Sequence, residues 1–338
     1  MISKAEQQKA FEEVYGALNA EQKLAVDTID GPVMVIAGPG TGKTQILGAR
    51  IGKILIETDT APENILCLTY TDAGAIAMRK RLVGFIGASA YKVNISTFHS
   101  FCNDIIQDNL SLFDKPSLDP ISELEKIELL KKLIDKFDKN NPLKRYRGDV
   151  YYEMSNLSRL FSTIKKEGWT STYLVQQIDQ YITDIPTRDE FVYKKKYKQF
   201  EAGDLKQGLV DAAIEKMEKL KAAVNAFDIY QQLMKDHSRY DFDDMINWVI
   251  TAFKENKNFL VQYQEKYLYI LVDEYQDTSG TQNQLIELLV NFWEQPNLFV
   301  VGDDDQSIFR FQGANVENML HYQKQYHAAI TTIVLENN

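Results

Sequence analysis

Cysteine is nearly absent from this sequence: Cys67 and Cys102 are the only two in 338 residues. Two are too few for a disulfide framework, and they lack the spacing of metal ligands. The four histidines form no cluster, so no structural metal is expected. No apolar run approaches the roughly 20 residues of a membrane span. The longest, near Val33–Ala37, is strand-sized. The N-terminus, MISKAEQQKAFEEVYG, mixes acids and bases and has no apolar stretch of a signal peptide. These absences predict a reduced, cytoplasmic protein. Positive charge is also in deficit, with a formal net charge of −10. That argues against a broad surface that coats DNA, but not against a narrow groove with a few local contacts. The stretch 111–240 is close to balanced, so the flanks carry the acidity.

What is present is an ordinary globular balance, 44% apolar and 25% charged, at a length that suggests two domains. Val33–Gly38, Asn64–Thr71, Val93–Phe98, Tyr269–Glu274, Asn297–Asp303 and Ile330–Leu335 read as strands. Helix-capable stretches follow the first two, to about Glu57 and from Asp72 to about Phe85. Strands alternating with helices of this length predict an α/β fold with a parallel sheet covered on both faces. The middle differs. Ile121, Leu124, Ile127, Leu130, Leu133, Ile134 and Phe137 recur at helical spacing, as do apolar residues before Tyr240. The reading is one α/β domain, 1–110 and 240–338, interrupted by a mostly α-helical insertion, 111–239.

AGPGTGKT (Ala37–Thr44) has the form of a phosphate-binding loop. Backbone N–H groups of a glycine turn and of the following helix N-terminus surround phosphate oxygens. Gly38, Pro39, Gly40, Thr41 and Gly42 form the cradle, Lys43 reaches the β- and γ-phosphates, and the Thr44 hydroxyl ligates Mg²⁺. Ala37 stands where the strict pattern begins with Gly, but the context is the required one, between a buried strand and a helix. The second half of the site is ILVDEYQDTS (Ile270–Ser279). An apolar strand that ends in Asp273-Glu274 puts two carboxylates at the C-terminal edge of a parallel sheet, where ligands bind. Asp273 suits an outer-sphere Mg²⁺ contact, and Glu274 a general base that polarises the attacking water.

With these residues in place, the chain resembles the N-terminal part of UvrD/Rep-type superfamily 1A DNA helicases, and the match recurs in order over both flanks. LNAEQKLAV (Leu18–Val26) resembles the Q motif, which implies that Gln22 bonds the adenine edge of ATP. LTYTDAGAIAMRKRL (Leu68–Leu82) and STFHSF (Ser96–Phe101) resemble motifs that face single-stranded DNA. YDFDDMI (Tyr240–Ile246) matches the return from an inserted domain, 1B, into the core domain, 1A. VGDDDQSIFRFQGA (Val301–Ala314) resembles the coupling motif, which implies that Gln306 senses the γ-phosphate while Phe309 and Phe311 lie toward DNA. The resemblance implies a RecA-like P-loop fold and an ATP-driven 3′→5′ helicase or translocase in DNA repair or replication. Its partners would be single-stranded DNA and single-strand/duplex junctions.

The expected DNA side has its own logic. Tyr70, Phe98, His99 and Phe311 fall at or just past strand ends, where aromatic faces stack on bases without regard to sequence. Thr69, Thr71, Thr97 and Ser100 offer hydroxyls to phosphates. The sequence departs from the family at Phe311, often Trp, at Gln312, often Arg, and at Gln45, often Arg. Lys194–Lys198 is read as a solvated helix face, with contact to DNA phosphates as the alternative. Trp169 and Trp248 are read as core anchors.

The sequence ends TTIVLENN (Thr331–Asn338), where relatives continue into a second RecA-like lobe with an arginine finger. A finger contributes about 10³–10⁵ in kcat. This polypeptide alone is therefore expected to bind Mg-nucleotide weakly, hydrolyse it poorly and not unwind DNA. Two other readings compete with the helicase: the motor of a helicase–nuclease or defence complex, and a non-catalytic ATP-dependent DNA-binding module. Intact Lys43, Thr44, Asp273, Glu274 and Gln306 count against the second. A P-loop kinase or GTPase fails on the Q motif and on Gln276-Asp277 after the Asp-Glu pair.

Overall fold

A computed structural model describes residues 4–113, 119–144, 148–303, 316–327 and 329–335. The chain divides into two compact units: Met1–Asp114 with Met245–Asn338, and Lys115–Asp244. Eight strands are described: β1 (Val33–Ala37), β2 (Ile65–Thr69), β3 (Asn94–Thr97), β4 (Asp119–Pro120), β5 (Arg239–Tyr240), β6 (Tyr269–Val272), β7 (Leu298–Gly302) and β8 (Thr331–Leu335).

Six of them form the sheet of the first unit in the order β3-β2-β6-β7-β1-β8, every pairing parallel. Both faces of a parallel sheet are covered by crossover helices, so the central strands are almost wholly apolar. β2, β6 and β7 are buried at every position. β8 lies at one margin and alternates, with Ile333 and Leu335 buried and Val334 exposed. At the other margin is β3. There the Arg79 guanidinium donates to the carbonyls of Ala90 (3.1 Å), Val93 (3.2 Å) and Ile95 (3.0 Å). A side chain that occupies edge carbonyls denies them to another strand. Because all six strands run the same way, their C-terminal ends share one edge, and the residues after each end are gathered there.

The second unit is helical, with β4 and β5 pairing over two residues. Its core is Leu129, Leu130, Leu133 and Ile134 of Glu123–Asp135, Leu157, Phe161 and Ile164 of Met154–Glu167, and Phe227, Tyr230 and Leu233 of Gln207–Asp236. Ser122 and Glu125 form a reciprocal capping box that starts the first of these helices. Inside the unit, the Lys165 ammonium is buried between Asp241 (2.7 Å) and Asp244 (2.9 Å).

Two expectations are corrected here. Lys194–Lys198 is not helical: the run is irregular and leads into a short antiparallel turn. Tyr197 and Phe200 exchange backbone hydrogen bonds, and Lys198 takes a left-handed φ of 53° in the turn. Tyr193 stacks against both Tyr197 and Phe200, at 6.1 and 4.8 Å. The Tyr193–Phe200 stack rewards this turn, because residues seven apart on a helix lie about 10 Å apart along its axis. Trp169 is no core anchor either. It follows Gly168, the left-handed C-cap of Met154–Glu167, and remains 41% exposed.

Candidate nucleotide site

The glycine loop leaves β1 at Ala37 and turns tightly. Thr41 closes it, its Oγ1 donating to the Gly38 carbonyl at 2.8 Å. Gly40 (φ 79°) and Gly42 (φ 86°) occupy the left-handed region that only glycine enters without strain. Pro39 and Gly40 are exposed at the tip. Gly42 caps the helix Lys43–Glu57 with no side-chain hydrogen bond and no acid in the first turn. That leaves uncapped donors and the positive end of the helix dipole facing outward from the loop. Lys43 and Thr44 begin this helix.

Gln22 approaches the loop from the short helix Ala20–Asp27. Its Oε1 accepts from Asn19 N–H at 3.0 Å, half of a capping box, and its Nε2 donates to the Thr41 carbonyl at 2.9 Å. The amide that the resemblance assigns to an adenine edge thus commits one of its two N–H bonds to the loop. A Cβ on Gly42 would stand 3.2 Å from Gln22 Nε2, so the glycine also admits this contact. Behind the loop, the buried Arg50 donates to the carbonyls of Ala25 (2.7 Å) and Ile29 (2.8 Å), fastening the helix of Gln22 to that of Lys43.

The acidic half comes from β6. Asp273 N–H donates to the Leu68 carbonyl at 2.9 Å, extending the ladder one residue beyond the strand. Burial pushes the Asp273 carboxyl up to about 6, with the adjacent Glu274 carboxylate as a second cause. Asp277 is raised for the same two reasons. Glu274 sits at φ 50°, ψ 47°, a left-handed conformation that costs a non-glycine residue about 1–2 kcal/mol. Its Oε2 lies 3.1 Å from Lys43 Nζ and accepts from Gln276 Nε2 at 2.9 Å. β1 and β6 are separated only by β7, about 10 Å in all. Lys43, Asp273 and Glu274, chosen from opposite ends of the sequence, are therefore brought into one site.

The residues expected to face DNA divide. Tyr70, just past β2, is 52% exposed and offers an open ring. Thr71 caps the helix Asp72–Ile86, its Oγ1 accepting from Gly74 N–H at 3.0 Å. Thr69 is buried and donates to the Thr71 carbonyl. Thr97 caps the helix Phe98–Asp108 and donates to Ser100 Oγ at 3.0 Å. His99 is half-buried. Phe98 corrects the expectation: at 2% exposed its ring belongs to the interior and presents no stacking face. Gln306, Phe309, Phe311 and Gln312 lie outside the described residues. Sequence reasoning passed over Arg50, Asn19 and the structural role of Gln276. Only Asn19 carried a signal, the Asn-x-x-Gln spacing of a capping box.

A six-stranded parallel sheet, with a glycine loop after β1 meeting an Asp-Glu pair after β6, defines a RecA-like α/β lobe. Residues 18–327 match the model of the UvrD/REP helicase N-terminal domain, and the chain belongs to that family. It is 33% identical over 321 residues to the ATP-dependent DNA helicase PcrA of Staphylococcus epidermidis (strain ATCC 35984). It is 32% identical over 321 residues to the protein of the same name from Staphylococcus aureus (strain NCTC 8325). Each alignment covers 95% of this chain but 38% of the relative, so the chain spans little more than a third of their length. The family read from the motifs is the family found.

Proposed function

We propose that this chain is the nucleotide-gripping lobe of an ATP-dependent DNA helicase that moves 3′→5′ on single-stranded DNA in the cytoplasm. The observation that carries the proposal is the 3.1 Å approach of Lys43 to Glu274, which joins the glycine loop to the Asp-Glu pair. Among the described residues no helix is long and apolar enough to cross a membrane.

In this reading the loop Gly38–Gly42 holds phosphate oxygens on its backbone N–H groups, and Lys43 meets the β- and γ-phosphates. Phosphate competes with Glu274 for the Lys43 ammonium, which frees the carboxylate to act on water. The water oxygen bonds to the γ-phosphorus as the bond to the β–γ bridging oxygen breaks. ADP leaves with that electron pair, and the water proton passes to Glu274.

Thr44 and Asp273 fit Mg²⁺. They supply a hydroxyl and a carboxylate, the sparse oxygen set this ion accepts when phosphates and waters complete its shell. The raised carboxyl of Asp273, half-buried beside a second acid, is where a divalent cation lowers the electrostatic energy. When bound, Mg²⁺ would neutralise charge that develops on the phosphates. Tyr70 supplies the base-stacking face, while Gln306, Phe309 and Phe311 would act from the tract after β7. The partners are single-stranded DNA and its junctions with duplex, together with a second RecA-like lobe from the length that the relatives have beyond this match.

The test is ATP hydrolysis with and without a single-stranded oligonucleotide, comparing this chain with the full gene product. Stimulation by DNA in the full product and its loss on Lys43→Ala are expected. ATP binding without turnover in the full product would replace this reading with that of a non-catalytic module.

A further inference from the structure

Glu274 and Asp303 follow the ends of the neighbouring strands β6 and β7, and one side chain spans them. Gln276 is 1% exposed. Its Oε1 accepts from the Asp303 backbone N–H at 3.0 Å, and its Nε2 donates to Glu274 Oε2 at 2.9 Å. A longer contact of 3.4 Å runs from Nε2 to Asp277 Oδ2. The two ends of a carboxamide are chemically distinct, and a backbone N–H can only donate. Asp303 therefore selects the oxygen end of the amide, and the NH₂ end is turned to the carboxylate.

Gly302 makes the bridge possible. A Cβ there would stand 2.7 Å from Gln276 Oε1, forcing the amide to shift, and in tight contact with Met319 Sδ at 3.2 Å and Gln276 N at 3.3 Å. Glu274 Oε2 consequently receives two donors, from Lys43 and Gln276, and Oε1 receives none from the described residues. The carboxylate is held by one oxygen, on a residue whose left-handed backbone already restricts it.

We propose that Gln276 is a positioning residue for hydrolysis, fixing the Glu274 carboxylate through a hydrogen bond whose other end is the backbone at Asp303. The proposal rests on the reading of Glu274 as the base. It adds that the base is aimed by β7, a strand that carries none of its own atoms. A movement of the β7 terminus by about 1 Å stretches the Asp303 bond beyond useful length and lets the amide turn, which releases Glu274. Misplacements of that size cost about 10²-fold in rate.

A double-mutant cycle in the full gene product, with Mg-ATP and single-stranded DNA, tests this. Gln276→Ala is expected to lower kcat about 10- to 100-fold. KM for ATP and the affinity for a fluorescent ATP analogue should stay within about twofold. Added to Glu274→Gln, it should cost less than about a further twofold, because residues acting through one group are not additive. Gly302→Ala should reproduce the loss of kcat with Gln276 intact. If Gln276→Ala does not fold, Gln276→Glu takes its place. It keeps the size and the acceptor for Asp303 and repels Glu274, so the same separation of kcat from binding is expected. Additive losses, or a rise in KM with kcat unchanged, would overturn the positioning role. If Glu274→Gln itself leaves hydrolysis intact, the fault lies with the proposed function. If it abolishes hydrolysis while Gln276→Ala is silent, only the inference about Gln276 falls.

Discussion

Arg50 lies 4.2 Å over the ring of Phe299 and donates to Ala25 O at 2.7 Å, an interior cation held by a ring and carbonyls. Burial pushes its guanidinium down to about 9, still charged at neutral pH. Arg50→Met should destabilise the first unit by about 1–3 kcal/mol, because a buried and a half-buried carbonyl lose a charged donor. Urea unfolding measures it; an unchanged midpoint would show that these carbonyls find other partners.

Asp273 predicts a pH dependence. Its folded pKa, about 6, stands above the ordinary 3.8, so the folded chain holds a proton that the unfolded chain has released between about pH 4 and 6. Below that window both forms are protonated. Above it both are ionised, and the folded state bears the full penalty. Asp273→Asn should therefore stabilise the chain by about 1–2 kcal/mol at pH 7.5 and by almost nothing at pH 4. Denaturant titrations at the two pH values decide it. Mg²⁺-dependent nucleotide binding should weaken as pH falls through about 6, since the proton and the cation compete for one carboxylate.

Tyr70 and Phe98 should separate binding from stability. Tyr70→Ala should weaken single-stranded DNA binding by about 1–3 kcal/mol and leave the melting temperature in place. Phe98→Ala should cost about 3–5 kcal/mol of stability. Fluorescence anisotropy and thermal melts on the same two variants provide the comparison. Equal effects of both on DNA affinity would return Phe98 to the DNA side.

Lys165 predicts a large loss in the second unit. Lys165→Met would leave Asp241 and Asp244 without the cation between them, at a cost of about 3–5 kcal/mol. Burial already pushes the Asp241 carboxyl upward, with Lys165 opposing. Proteolysis of the variant, cutting within 115–244 far sooner than in the parent chain, is the expected signature.

The fold was legible where physics is one-dimensional. β1, β2, β6 and β7 are continuous apolar runs because both faces of a parallel sheet are covered, and the loop and Asp-Glu pair follow them directly. Illegible features depend on partners distant in sequence. Nothing local to Phe98 says that its ring turns inward while Tyr70, also just past a strand end, stays open. Lys194–Lys198 reads as a helix until the Tyr193–Phe200 stack, seven residues apart, is seen. Gln276 meets Asp303 across 27 positions, beyond any motif spacing.

The left-handed backbone of Glu274 has a consequence for directed evolution. Glycine or asparagine would relax that turn, so a screen that rewards heat resistance alone would favour replacing this residue. Variants enriched in such a screen would be sturdier and, on the present reading, unable to spend ATP. With Glu274 as the proposed base, stability and turnover would be opposed at a single codon.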